Sequence, residues 1–285
     1  MIHIDRRHFI ASLGGAAAVK LMSSEAKAEA LEAYLSDQLD LSVFAKMGAP
    51  SRPMTTAELE GQIDQRPLRR GIGTLFASGG TNPFGNRVPG EPVNVPRLAP
   101  MPARPTLLDF FQLRFAPATH VLQSADNALM AGLPEEITLA CLLHDLGQAL
   151  MKADHGWWAA QLFEPYVPEE VTFAIRYHQA LRFYPDPSVG YEYPKLYNLV
   201  FGTDYTPPPH IEGAYRYCRD HKWYMAARLV TVNDLYSFDP NHIVNPDKFT
   251  DIIGRHFKHP KEGLGNDNSP VAHMWRTIAN PDAPL

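Results

Sequence analysis

A histidine followed directly by an aspartate sits in the apolar run Ala140-Cys141-Leu142-Leu143-His144-Asp145-Leu146-Gly147. Burying such groups without partners costs roughly 2–7 kcal/mol for a neutral polar group and more for a charge. A metal ion satisfies both at once, because imidazole nitrogen and carboxylate oxygen are ordinary ligands. Four further ligand types stand at spacings that can bring them to the same place: His120 upstream, then His155, His178 and Asp234 downstream. Four histidines and two aspartates suffice for two metal ions. Imidazole and carboxylate suit iron, and the absence of thiolates from the set argues against a structural zinc site.

These residues need helices to position them. From Pro117 onward the apolar spacing is helical, predicting helices over Ala118–Ala131, over Leu133–Lys152, from His155 to just before Pro165, and from Val167-Pro168-Glu169-Glu170 through Leu181. Proline at the first turn and acids at the positive end of the dipole mark two of these starts. A last long helix is expected from about Trp223 to Phe238. His120, His144, His178 and Asp234 each fall on the inward stripe of a different helix, so convergence on metal satisfies all four together. Asp145 lies about 100° around the helix from His144, a separation that suits a carboxylate shared between two ions. Trp157, Trp158, Phe163, Tyr177, Phe183 and Tyr184 surround these positions in sequence. Core packing is the default for them, and lining a substrate pocket is the sharper alternative.

With 285 residues, 45% apolar and 20% charged, the chain can build one good-sized core with an appendage. A net charge of −5 and a pI near 6.2 supply no basic field, which disfavours nucleic acid and points to a small ligand. Ala30 to Lys46 is expected to form a short helix. From Ala49 to Pro117 the chain is rich in Pro and Gly and reads as an extended arm without long helices. Gly71-Ile72-Gly73 lacks the strand and helix of a phosphate loop. Cys141 and Cys218 are the only cysteines. Cys141 lies within an apolar helix, which favours a free buried thiol.

The N-terminus joins Arg6-Arg7 and Phe9 to a weakly apolar Ala/Gly run and a small-x-small site at Ala26-Lys27-Ala28, with Lys20 interrupting the run. It resembles a twin-arginine signal. The expected organisation is a signal at 1–28, the arm at 29–117, a helical metal-binding domain at 118–260 and a tail at 261–285. Cleavage after Ala28 would remove four basic and two acidic residues and take the net charge from −5 to −7. No segment is long and apolar enough for a stable membrane span, so a periplasmic location reached by the twin-arginine machinery is expected.

His120-Val121-Leu122-Gln123-Ser124-Ala125, His144-Asp145-Leu146-Gly147, His155-Gly156-Trp157-Trp158-Ala159-Ala160, Tyr177-His178-Gln179-Ala180-Leu181-Arg182-Phe183-Tyr184 and Asn233-Asp234 resemble the HD superfamily. More narrowly, they are similar to its mixed-valent diiron oxygenase branch, which includes the organophosphonate-cleaving oxygenases and myo-inositol oxygenase. The resemblance runs from His120 to Phe238 and implies an all-α HD-domain bundle. It also implies one iron held by His120, His144, Asp145 and Asp234, and a second held by His155, His178 and the shared Asp145. Substrate hydroxyl chelation, dioxygen as co-substrate and carbon–carbon or carbon–phosphorus cleavage follow from the same likeness.

Departures from that branch bear on the substrate. The phosphonate-cleaving members carry Lys where this chain has Arg182, one turn beyond His178 and able to grip an anion bidentately. Their His four residues after the doublet's histidine is Gln148, their Arg before the last ligand is Thr231, and their Tyr and Glu lid residues find Phe110 and Leu113. The sequence therefore points to a diiron oxygenase of a small hydroxylated, anionic molecule, with Asp145 central to catalysis and Arg182 and Gln148 facing substrate. Two alternatives stand beside it: an HD phosphohydrolase using Mn, Mg or Zn to activate water, and a non-catalytic helical binding module. His210, His221 and His242 match no motif.

Overall fold

The computed structural model describes residues 13, 19, 21–37, 41–46, 49–63, 99, 102, 106–113, 115, 118–149 and 154–258. The paired arginines, the Gly71-Ile72-Gly73 segment, most of the proline-rich arm and the 261–285 tail lie outside the described residues. Among those described, regular structure is helical, and an isolated antiparallel bridge joins Asp186 to Tyr191. The helices are α1 (Ser24–Asp37), α2 (Leu41–Lys46), α3 (Thr56–Ile63), α4 (Leu107–Leu113), α5 (Ala118–Met130), α6 (Glu135–Leu143), α7 (His155–Phe163), α8 (Glu169–Leu181), α9 (Lys195–Val200), α10 (Pro209–Arg219), α11 (Tyr224–Leu235) and α12 (Thr250–His256). Short 3-10 turns cover Leu146–Ala149, Pro187–Val189 and Pro246–Phe249.

Local chemistry explains the starts and stops. Pro134 and Pro168 precede α6 and α8, each followed by two glutamates in the first turn. Gly132 ends the turn after α5 at φ 70°, a left-handed conformation that suits glycine. α8 lies at the centre, against α6, α7, α10 and α11, while α5 packs on α6 and α11. Their apolar faces merge into one core that includes Val121, Ala125, Leu139, Leu143, Val171, Ile175 and Val230. The metal-ligand candidates on α5, α6, α8 and α11 point into this same interior.

Three expectations need correction. The helix expected over Leu133–Lys152 stops at Leu143, with His144 as its C-cap and a tighter 3-10 turn after Asp145. Two adjacent side chains diverge by about 100° on a continuous α-helix, and the break lets both face one centre. Gly147, in that turn, approaches α7 so closely that an added Cβ would lie 2.3 Å from the His155 carbonyl oxygen. The helix expected over Ala30–Lys46 is two helices, and the first begins at Ser24. Ala28, Leu31 and Leu35 on α1 are fully buried in the main core. The helix expected to end at Phe238 ends at Leu235, capped at Tyr236.

The described parts of the arm are short helices, not simply extended chain. Thr55 and Glu58 bond reciprocally at the start of α3, as do Thr106 and Asp109 before α4. The Thr56 amide and hydroxyl both donate to Asp204, at 2.6 and 2.8 Å, which fastens α3 to the loop after α9. No helix among the described residues is long and apolar enough to cross a membrane. Cys141 and Cys218 are free and buried, and burial pushes the Cys141 thiol up to about 12.

Candidate metal centre

The six residues singled out by spacing meet in the interior. His120 comes from α5, His144 and Asp145 from the end of α6, His155 from the first turn of α7, His178 from α8 and Asp234 from α11. Their exposures run from 0 to 6%. Candidate ligand atoms of His120, His144, Asp145 and Asp234 lie within 4.8 Å of one another, and so do those of Asp145, His155 and His178.

Asp145 belongs to both groups. Its Oδ1 lies 2.8 Å from His155 Nε2 and 3.6 Å from both His178 Nε2 and His144 Nε2, and its Oδ2 lies 3.4 Å from His120 Nε2. Asp234 Oδ1 is 3.1 Å from His120 Nε2 and 3.6 Å from His144 Nε2. Burial alone would raise both carboxyls, but His144 and His155 beside Asp145, and Arg182 beside Asp234, hold them well below the usual carboxylate range. Both are therefore anions at neutral pH.

Histidine orientation is set from behind. Nδ1 of His120, His144 and His178 lies 2.9, 2.8 and 2.6 Å from the carbonyl oxygens of Ser237, Cys141 and Ile175. A carbonyl only accepts, so each Nδ1 carries a hydrogen and each ring turns its Nε2 toward the centre. Burial brings His178 down to about 4, which keeps it neutral. His120 is pushed the other way: burial disfavours its charge, but Asp234 and Asp145 outweigh that and raise it. His144 Nε2 and His178 Nε2 are buried with no hydrogen-bond partner. Orphaned lone pairs aimed at two anionic carboxylates are what a cation needs, so these residues fit a metal pair.

The two residues expected to face substrate both bond to the carboxylates. Arg182 donates through Nη2 to Asp234 Oδ2 at 2.5 Å, and its Nε is buried without a partner. Gln148 donates to Asp145 Oδ2. Thr231 donates to the His178 carbonyl at 2.8 Å, tying α11 to α8 next to the ligand. Phe238 stacks on the His120 ring at 4.4 Å, a contact sequence spacing did not single out.

Other candidates fall elsewhere. Trp157 and Trp158 are 40 and 39% exposed on the outer side of α7. With Tyr177, Arg176, His210 and Tyr217 they line a 550 Å³ groove that contains none of the six residues. Phe163 is core, Tyr184 stacks on Tyr215, and Phe183 packs on Phe201 and Tyr205. His221 stacks on Phe173 and His242 meets Asp126 at 3.0 Å. Phe110 and Leu113 lie on α4.

No protein-family model matches the chain. A segment of 78 residues, 24% of this chain, is 35% identical to [1-hydroxy-2-(trimethylamino)ethyl]phosphonate dioxygenase (glycine-betaine-forming) from Leisingera caerulea. The chain spans 40% of that relative's length. A chain whose described residues are helical and hold two buried His/Asp groups able to bind metal is thus distantly similar, over part of its length, to a phosphonate dioxygenase.

Proposed function

We propose that this chain is a dinuclear-iron oxygenase acting on a small hydroxylated, anionic organic molecule, with dioxygen as co-substrate. The observation that carries the reading is the position of Asp145, which belongs to both buried His/Asp groups able to hold an ion. One carboxylate serving two ions is the arrangement a dinuclear centre requires and a mononuclear one does not. The partial likeness to a phosphonate dioxygenase supports oxygenation over hydrolysis. His120, His144 and Asp234 with Asp145 would hold one ion, and His155 and His178 with Asp145 the other. Bound iron would supply the one-electron chemistry that lets dioxygen react with an organic molecule.

The protein's own groups hold and orient. Asp145 is the residue on which both halves depend, and Gln148 fixes its Oδ2. Arg182 fixes Asp234 Oδ2 and keeps Nε unspent, a donor for the anionic group of a substrate seated beside the first ion. Burial of all six ligand candidates keeps bulk water away and strengthens each electrostatic contact. Metal analysis of protein matured in iron-replete cells, with electron paramagnetic resonance after partial reduction, tests the assignment. About two irons with a coupled mixed-valent signal supports it. A redox-silent ion with turnover of a generic phosphodiester replaces it with the hydrolytic reading.

Arg6-Arg7 and the apolar run behind them support export to the periplasm by the twin-arginine machinery. A cut after Ala28 falls inside α1, so the N-terminal sequence of periplasmic protein tests both the route and the site.

A further inference from the structure

We infer that Gly156, together with Gly147, decides whether the second ion binds, by letting α7 approach α8 and the turn after Asp145 more closely than any side chain would permit. The inference rests on the dinuclear reading. Gly156 follows His155 and faces α8, where an added Cβ would lie 2.8 Å from the Ile175 carbonyl oxygen and 2.9 Å from Cε1 of the His178 ring. Gly147 faces the His155–Ala159 side of α7, with an added Cβ 2.3 Å from the His155 carbonyl oxygen and 2.9 Å from the Ala159 nitrogen. Most of these neighbours are backbone, which cannot swing aside as a side chain can.

Both close approaches involve the first turn of α7, at or next to His155. That seat places His155 Nε2 2.8 Å from Asp145 Oδ1 and its ring centroid 5.4 Å from that of His178. The Ile175 carbonyl that a Gly156 methyl would strike is also the acceptor for His178 Nδ1. One methyl at residue 156 would therefore disturb His178 twice, at its ring and at the bond that orients it. Gln179 fastens the same spot, accepting from the Gly156 amide at 3.1 Å. None of these contacts reaches His120 or Asp234; of the first ion's residues, Asp145, two positions before Gly147, and His144, whose ring lies 4.8 Å from that of His178, are the nearest to them.

The test uses the full chain as Gly156→Ala, Gly147→Ala and His178→Ala. Gly213→Ala and Gly254→Ala serve as controls, since a Cβ there meets nothing within 4 Å. Each protein is loaded anaerobically with ferrous iron, desalted and assayed for metal-to-protein ratio and cooperative unfolding. Gly156→Ala and Gly147→Ala are expected to keep one ion and bind the second about 10- to 100-fold more weakly, matching His178→Ala, while the controls keep two. Retention of one ion is itself proof of folding. Two ions in Gly156→Ala would overturn the inference, as would loss of both ions from a protein that still unfolds cooperatively. Should Gly156→Ala not fold, Gly147→Ala decides on the same criteria. If the wild-type chain and the two controls bind a single ion, the dinuclear reading itself fails, whatever the glycine variants do; two ions in His178→Ala would remove His178 from the second site.

Discussion

The two halves of the centre are held in place by different means. Around His120, His144 and Asp234, polar groups fix each ligand: the Ser237 and Cys141 carbonyls, Arg182 on Asp234 and Gln148 on Asp145. In the other half the Ile175 carbonyl orients His178 in the same way, but the seat of His155 depends on backbone proximity, with glycine allowing α7 to sit against its neighbours. The residue before α7, Asp154, adopts φ 50° and makes no capping bond, so this helix begins from a strained position. A hydrogen-bonded ligand tolerates small backbone shifts, but a ligand held by close packing moves with its helix. The first half should therefore be robust and the second labile.

Asp145→Ala is the severest way to break that contrast, because it removes the one residue common to both halves. The metal-to-protein ratio should fall from about two to near zero, a loss beyond the roughly 10- to 100-fold typical when a group behind a ligand is changed. Retention of either ion would show that the halves do not share this carboxylate. His155→Ala sharpens the contrast instead. It should lose one ion and leave the first, measured by metal analysis and by the paramagnetic signal of a lone iron. Equal loss of both ions in the two variants would erase the distinction.

Arg182→Met addresses the bracing of the first half directly. It strands Asp234 Oδ2 in the interior, and breaking a buried ion pair from one side costs about 3–5 kcal/mol. Urea unfolding of the metal-free variant should show that loss, and added metal should recover part of it. An unchanged unfolding midpoint would mean that Arg182 does not brace Asp234.

The same contrast explains what was legible beforehand. His120, His144, His178 and Asp234 could be read because each interrupts an apolar helical stripe, and a polar group repeatedly found facing inward needs a common partner. Arg182 and Gln148 could be singled out by position, but not their bonds: that of Arg182 to Asp234 depends on how α8 and α11 cross, and that of Gln148 to Asp145 on the tight turn after α6. The end of α6 was missed because its apolar run continues past His144, and only the close approach of Gly147 to α7 shows why the helix stops. Other features were present in the sequence and overlooked. Thr55-x-x-Glu58 and Thr106-x-x-Asp109 mark helix starts within the arm. Pro209 with Glu212 early and Arg216 and Arg219 late marks α10, which a run of three prolines disguised as loop.

A milder perturbation enters from behind the first half. Glu32 on α1 is buried and accepts from the Tyr236 hydroxyl at 2.5 Å, two residues beyond Asp234, while its other oxygen has no partner. Burial raises this carboxyl from 4.5 to about 7, despite the opposing pull of Tyr236 and Arg228. Between pH 4.5 and 7 the folded protein therefore keeps a proton that the unfolded chain releases. Its stabilising contribution is complete below pH 4.5 and is lost as pH rises through 7. The shift corresponds to a loss on the order of 3 kcal/mol. In metal-free protein, Glu32→Gln should gain stability relative to wild type as pH rises from 5 to 8, with the difference levelling above 7. Urea unfolding at each pH reads this, and a difference that stays constant would show that Glu32 does not titrate in that window. Because Glu32 reaches the centre only through Tyr236, the variant should leave the second ion's affinity at its wild-type value.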